Sequence, residues 1–233
     1  MKIVVVLQKV AYNMHIGIIM DGNRRWAMKH AVKSILGHHN GKENLKKIMD
    51  LCPRKGIKIL TVYALSTENL TKRSPKEAKG LLKLIEETIR DDYGEFMRKR
   101  YQVKILGNKD GLPKSIIERF DEIEKENNIK NPTMLLQACI NYGGQDEIVR
   151  SVKKLLNKGL ELSVKNIEDN LDSKLVPDLI IRTGGDQRLS NFLLWQAAYS
   201  DFYFVDTLWP DFGEVELDKA LAHLKKVNKN FGK

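Results

Sequence analysis

Apolar runs and helical patterns alternate along this chain from about residue 15 to its end. Ile16–Met20, Ile59–Ala64, Val103–Leu106, Met134–Ile140, Leu179–Ile181 and Phe202–Phe204 are short runs dominated by aliphatic and aromatic residues. Near-continuous apolar runs of that length suit strands buried on both faces of a parallel sheet. Between them the apolar positions fall at helical spacing, at about Gly41–Lys55, Lys76–Lys99, Ser115–Asn127, Gln145–Asn157 and Val215–Lys229. Another helix is expected to start near Arg24. Strands and helices in alternation predict an α/β single domain, a mostly parallel six-stranded sheet flanked by helices. Right-handed crossovers then collect the loops that follow the strands on one sheet edge, where open α/β sheets bind ligands. No repeat, low-complexity stretch or linker breaks the pattern. Residues 1–14 read as an N-terminal extension and 15–233 as the domain.

Composition adds constraints. At 42% hydrophobic, with 6 prolines and 16 glycines, the chain is globular in character. A net charge of +10 favours anionic or phosphorylated ligands, although the lysines mostly scatter along helical patterns as a solvated surface would. No basic patch interleaved with aromatics accompanies the charge, so nucleic acid is not an expected partner. An anionic membrane surface suits it better. Cys52 and Cys139 lie far apart without metal-type spacing, which predicts reduced thiols and a cytoplasmic protein. Apolar runs such as Ile3–Leu7 fall far short of the roughly 18 residues a membrane span requires. The N-terminus lacks a signal-peptide pattern. Met1 and Met14 are both candidate starts.

The polar clusters concentrate in four of the strand-end loops. These are Asp21-Gly22-Asn23-Arg24-Arg25-Trp26; Ser66-Thr67-Glu68-Asn69 with Lys72-Arg73; Asn141-Tyr142-Gly143-Gly144; and Arg182 to Arg188 with Ser190-Asn191. The first can be an ordinary strand-to-helix turn with an N-cap Asp or Asn. It can equally be an anion cradle, in which two guanidinium groups and one carboxylate hold a diphosphate with a divalent metal. Arg25, Arg73, Arg182 and Arg188 offer planar forks for phosphate oxygens. Asp21 and Asp201 offer hard oxygen ligands suited to Mg2+, and Ser66, Ser190 and Asn69 add neutral hydrogen bonds. With no Cys/His metal set and no nucleophile–base pair, these groups favour ionisation or displacement of a diphosphate over hydrolysis by a protein nucleophile. Leu81, Leu82, Leu84, Ile85, Ile89 and Phe96 fall near one helical face, either a core stripe or the wall of an apolar channel.

The run His15–Ala27 resembles the first signature of the cis-prenyltransferases, the undecaprenyl diphosphate synthase family. Gly37-His38 with Gly41, Tyr63–Asn69, Asn141–Gly144, Asp178–Gln196 and Leu208–Phe212 are similar to its later signatures, in order, to about residue 232. The resemblance implies a parallel-sheet α/β fold with an apolar tunnel, usually in a homodimer. It implies Mg2+-dependent condensation of isopentenyl diphosphate with an allylic diphosphate, such as farnesyl or geranylgeranyl diphosphate, to form cis double bonds. Asp21 would handle the allylic diphosphate and its metal, and Asp201 would share the metal. Gly22, Asn23 and Arg25, with Arg24 and Trp26 beside them, would complete that cradle, and Asn23 would lie near the new bond. His38 would sit by the same diphosphate. Ser66, Thr67, Glu68, Asn69 and Arg73 would position both substrates and assist proton removal. Arg182, Arg188 and Ser190 would bind isopentenyl diphosphate. Ala64 is expected to line the tunnel, where a small residue leaves room for a longer product.

Some positions depart from the family pattern. Ser34 stands where an Arg clamp is usual, Leu70 where Trp or Phe is common, and Asp186 and Asp201 stand for Glu. Asn230-Phe231-Gly232 lacks the usual Arg. These departures leave chain length, starter and rate open. They also keep two other readings in view: a same-fold enzyme making a short, irregular or atypical-acceptor product, and a non-catalytic subunit of a heteromeric prenyltransferase.

Overall fold

The computed structural model describes residues 14–126 and 129–226. Its strands are β1 (Met14–Ile19), β2 (Ile57–Ser66), β3 (Tyr101–Leu106), β4 (Met134–Tyr142), β5 (Leu179–Arg182) and β6 (Asp201–Phe204). Its helices are α1 (Asn23–Lys29), α2 (Ser34–Arg54), α3 (Thr67–Lys72), α4 (Pro75–Arg98), α5 (Lys114–Glu126), α6 (Gly144–Asn157), α7 (Val164–Asn170) and α8 (Glu214–Lys226). The six strands form one sheet in the order β3-β4-β2-β1-β5-β6. Each of its pairings is parallel. β1 is the switch point: the chain leaves it for β2 on one side and returns later to β5 on the other. A crevice therefore opens at the C-terminal end of β1, between the ends of β2 and β5.

Ile16, Ile18 and Ile19 of β1 are all buried, which explains why the strand reads as unbroken apolar sequence rather than as alternation. One large core cluster joins Ile16 and Ile18 to Ile48 and Met49 of α2, Phe96 of α4, Leu217 of α8, and Trp209 and Phe212. Trp209 ties the C-terminal region to the crevice. Its indole N–H donates to the Gly41 carbonyl at 2.8 Å, its backbone N–H donates to the Asp21 carbonyl at 2.9 Å, and Asn44 donates to its carbonyl at 2.7 Å.

The predicted strands are present, five with slightly longer bounds and β1 shifted to Met14–Ile19, short of Met20, and the helices with three differences. α2 begins at Ser34 rather than Gly41, because Gly37 and Gly41 lie inside the helix where α1 presses on it. α3 and α7 were not expected. Each is short, and each starts at a serine whose hydroxyl accepts from a backbone N–H one turn on: Ser66 from Asn69 at 3.0 Å and Ser163 from Asn166 at 3.2 Å. α4 starts at an N-cap serine, with Ser74 Oγ accepting from the Glu77 N–H at 3.3 Å and donating to the Glu77 carboxylate at 3.2 Å. The N-terminal extension, the expected helix end at Lys229, and Asn230-Phe231-Gly232 lie outside the described residues, apart from Met14, which opens β1.

Candidate active site

Two adjoining cavities occupy the crevice and the space beneath it. The first, of about 590 Å3, is lined by the C-terminal ends of β1, β2 and β5 and the loops that leave them. It brings together Asp21, Gly22, Asn23, Arg24, Arg25, His38, Ser66, Glu68, Asn69, Arg73, Arg182 and Ser190. Gly22 holds a left-handed turn (φ 112°), and any Cβ there would lie 2.9 Å from the Leu208 backbone. Only glycine fits so close to the Leu208-Trp209 segment without strain.

Asp21 lies between two arginines. Its carboxylate is 3.2 Å from Arg25 Nη2 and accepts from Arg182 Nη2 at 2.9 Å. Arg182 is 4% exposed, yet its charge is balanced: Nη2 also donates to Asp186 at 3.1 Å, and Nη1 donates to Ser190 Oγ at 2.7 Å and to the Arg188 carbonyl at 2.5 Å. Arg25 donates to the Gly184 carbonyl. The guanidinium groups are thus fixed in direction by the protein before any ligand arrives, which is the preorganisation an anion site requires.

The β2 end contributes a second polar arm. Asn69 Oδ1 accepts from Arg73 Nε at 3.1 Å, and Glu68 Oε1 accepts from Asn191 Nδ2 at 2.8 Å. Burial works against the Glu68 charge, but hydrogen bonds from Asn191 and Ser66 and the nearby Lys72 outweigh it and hold the carboxyl below its usual range. His38 is pushed down to about 4, first by burial and then by the cations Arg73 and Arg24. At neutral pH it is an uncharged imidazole facing a cationic cavity.

Four expected residues do not line this cavity. Trp26 donates its indole N–H to Asp211 at 2.7 Å and stacks on His30. Thr67 starts α3 beside Gly143. Arg188 has a 62% exposed side chain paired with Asp186 at 2.6 Å, so it stands on the rim. Within this chain Asp201 stands apart from the others. It opens β6 level with Leu179, at the edge where the strands begin, whereas Arg182 and Asp21 stand at the edge where they end. A motif position says nothing about which end of its strand a residue occupies.

Asn191 and Asp186 were not counted among the site residues. Asn191 (φ 67°) holds Glu68, accepts on Oδ1 from the Gln145 N–H at 2.9 Å, and accepts on its carbonyl from the Gly144 N–H at 2.7 Å. It joins the loops after β2, β4 and β5. A polar residue inside a dense motif was the available signal.

The second cavity, about 150 Å3, is almost wholly apolar and shares Met20, Asn23, His38, Ala64 and Leu81 with the first. Leu84, Ile85, Ile89 and Phe96 of α4 form one wall and Val62, Leu136 and Ala138 of the sheet another; Val103, Ile105 and Ile123 close the far end. The helical stripe is therefore both buried and channel-facing, except that Leu82 turns instead to an outer groove. A cationic chamber opening onto a hydrocarbon-lined one suits an amphiphile with an anionic head.

Comparison with known proteins places this arrangement. Residues 19–232 match the family model described as "Putative undecaprenyl diphosphate synthase". An isoprenyl transferase of Lactococcus lactis is 40% identical over 227 residues, covering 94% of this chain and 92% of the relative. A chloroplastic nerylneryl diphosphate synthase of Solanum lycopersicum is 41% identical over 226 residues, covering 94% and 70%. The crystal structure of lavandulyl diphosphate synthase from Lavandula x intermedia, in complex with dimethylallyl diphosphate, superposes with a TM-score of 0.87 at 34% identity, covering 94% of this chain and 98% of the other. A probable undecaprenyl diphosphate synthase from Campylobacter jejuni gives 0.81 at 30% identity, covering 94% and 98%. The chain belongs to the undecaprenyl diphosphate synthase family of prenyltransferases.

Proposed function

We propose that this prenyltransferase condenses isopentenyl diphosphate with an allylic diphosphate in a Mg2+-dependent reaction, elongating a cis-prenyl diphosphate, and that it works as a homodimer. The observation that carries the reading is the cationic chamber opening directly onto the apolar one. The allylic diphosphate occupies the Asp21–Arg25 corner with its chain in the apolar cavity. Isopentenyl diphosphate occupies the side nearer Arg182 and Ser190. Dimethylallyl diphosphate in the lavandulyl diphosphate synthase structure supports an allylic substrate here.

The residues fit a hard cation held largely by substrate. Among the described residues no group of three or more His, Cys, Asp or Glu is poised to hold a metal. Of the two carboxylates lining the cavity, Asp21 and Glu68, Asp21 is the one paired with Arg25 and Arg182, and Mg2+ is commonly bound by one or two carboxylates plus substrate phosphates. Bound there, the ion would stabilise the departing diphosphate.

In the reaction, the allylic carbon–oxygen bond breaks and its electron pair leaves with the diphosphate, whose charge Arg25 and Arg73 neutralise. The terminal carbon of the isopentenyl double bond attacks the allylic cation, leaving positive charge on the methyl-bearing carbon. A proton then leaves the methylene between that carbon and the diphosphate-bearing carbon, restoring a double bond. Glu68, which lines the cavity and whose carboxyl is held below its usual range, accepts that proton. Asn191 fixes the direction of the carboxylate. The uncharged His38 borders both chambers without adding positive charge beside the cation.

The test is incubation with labelled isopentenyl diphosphate, a series of allylic starters and Mg2+, with products sized by mass spectrometry. Longer prenyl diphosphates are expected; no incorporation with any starter would overturn the reading and favour a non-catalytic subunit. One observation favours a second reading, a short or irregular product: the apolar chamber holds only about 150 Å3. The same product profile decides it. Ala64, at the end of β2, lines both cavities. Ala64→Leu should shift products towards shorter chains by narrowing the passage between them, and an unchanged distribution would remove Ala64 from the path of the chain.

A further inference from the structure

One surface feature has no part in the site as described. Met28, at the end of α1, is 77% exposed; Val32 in the following turn is 38% exposed; and Leu36 in the first turn of α2 is 43% exposed. Soluble surfaces carry single exposed apolar residues, but three between Met28 and Leu36, spanning the end of α1, the connection and the start of α2, concentrate apolar surface there. Lys29, His30, Ala31 and Lys33 are exposed among them. Ion pairs among the described residues do not involve Lys29 or Lys33. From Gly22 to Lys42 the chain carries Arg24, Arg25, Lys29, Lys33 and Lys42 and no carboxylate. Arg24, Arg25 and Lys42 are paired with Glu77, Asp21 and Asp92, which leaves Lys29 and Lys33 as the basic groups beside the apolar residues. Apolar residues flanked by such lysines are the composition of an element that lies at an anionic lipid interface.

Its position gives that composition a use. The inward residues of the same α1–α2 hairpin, Asn23, Arg24 and His38, line the cationic chamber, and Asn23 and His38 also line the apolar one. Ile35, between the exposed positions, faces Gly80 of α4, where a Cβ would lie 3.6 Å from its Cδ1. On α4, Lys76 and Lys83 lie one turn either side of Gly80, with Glu77 beside the first and Glu87 3.7 Å from the second. The turn therefore stands at the junction of α1, α2 and α4, the elements that wall both chambers. A prenyl diphosphate leaving the apolar chamber into water would expose its whole chain, whereas release beside a bilayer would not.

We propose that the Met28–Leu36 turn docks this prenyltransferase on anionic bilayers, with Met28, Val32 and Leu36 inserted at the headgroup boundary and Lys29 and Lys33 among the acidic headgroups. Lipid docking rests on the prenyl reading for its purpose but not for its physics, so binding and turnover are measured separately. Full-length protein is co-sedimented with phosphatidylglycerol-containing vesicles and with pure phosphatidylcholine vesicles, and condensation is assayed in detergent on the same samples. The expected result is binding to the anionic vesicles that weakens with salt. Lys29→Glu reverses one charge, equivalent to losing two favourable lysine-type interactions, and should weaken binding roughly thirty-fold. Met28→Ser with Val32→Ser should weaken it at least as much at high salt, where only the apolar term survives. Both variants should keep turnover in detergent. The proposal is overturned if the protein ignores anionic vesicles, if the variants bind as tightly as the parent, or if they change the sedimentation mass instead, which would make the turn a contact between copies. Vesicle binding without condensation by the parent would sink the prenyl reading and leave the docking surface standing.

Discussion

Replacing Asp21 by alanine is expected to lower condensation by about three orders of magnitude, a loss of roughly 4 kcal/mol of transition-state stabilisation, while the chain stays folded. The size of the effect follows from the geometry. Asp21 is the carboxylate between Arg25 and the nearly buried Arg182, at 3.2 and 2.9 Å. Its removal takes away the proposed metal ligand and unbalances both arginines at once. Arg182 would keep Asp186 at 3.1 Å, so its charge would not be stranded. The Asp21 carbonyl would still accept from the Trp209 N–H at 2.9 Å and Thr183 Oγ1 at 2.7 Å, so the loop keeps its course. With the side chain 30% exposed, the stability cost should stay near 1 kcal/mol. Turnover with saturating substrates and a urea denaturation curve check both halves. Asp21→Asn separates charge from shape: if the amide restores activity, hydrogen bonding rather than charge is what Asp21 supplies. Near-normal turnover in Asp21→Ala would remove the residue from the mechanism.

How far the sequence discloses the molecule differs by level. The strands were readable because residues such as Ile16, Ile18 and Ile19 are apolar on both faces, and a parallel sheet covered by helices requires that. Loop chemistry was readable too, since a parallel sheet sends every strand end to the same edge. Long-range placement was not. Asp201 looks like a hard metal ligand in one dimension, and only the β5–β6 register sets it at the far edge. Asn191 looks like motif filling until its side chain is seen joining Glu68 to the start of α6. The short helices α3 and α7 have too few positions to show a period, and only their serine caps mark them. The start of α2 is hidden for a different reason: glycine is a poor helix former, so Gly37 argues locally for a loop, and the contact that demands it comes from another helix.

That contact is the basis of the second large effect. Gly37→Ala should destabilise the protein by several kcal/mol and abolish most condensation, although glycine to alanine inside a helix ordinarily stabilises by about 0.5–1 kcal/mol. A Cβ at position 37 would fall on the Asn23 backbone carbonyl and 3.1 Å from the Ala27 Cβ. The carbonyl belongs to the first turn of α1 and cannot rotate away as a flexible side chain would. Relief requires α1 to shift off α2. Asn23 leads that helix and Arg25 lies within it, so the shift carries the amide out of the two-chamber junction and the guanidinium away from Asp21. Gly80→Ala in α4 is the control, because its Cβ would meet only Ile35 Cδ1 at an ordinary 3.6 Å. It should leave stability unchanged or slightly raised, with condensation intact. Urea midpoints and turnover of the two variants, measured together, decide the matter. If Gly37→Ala matched Gly80→Ala in both, the packing of α1 on α2 would not be what fixes the diphosphate corner.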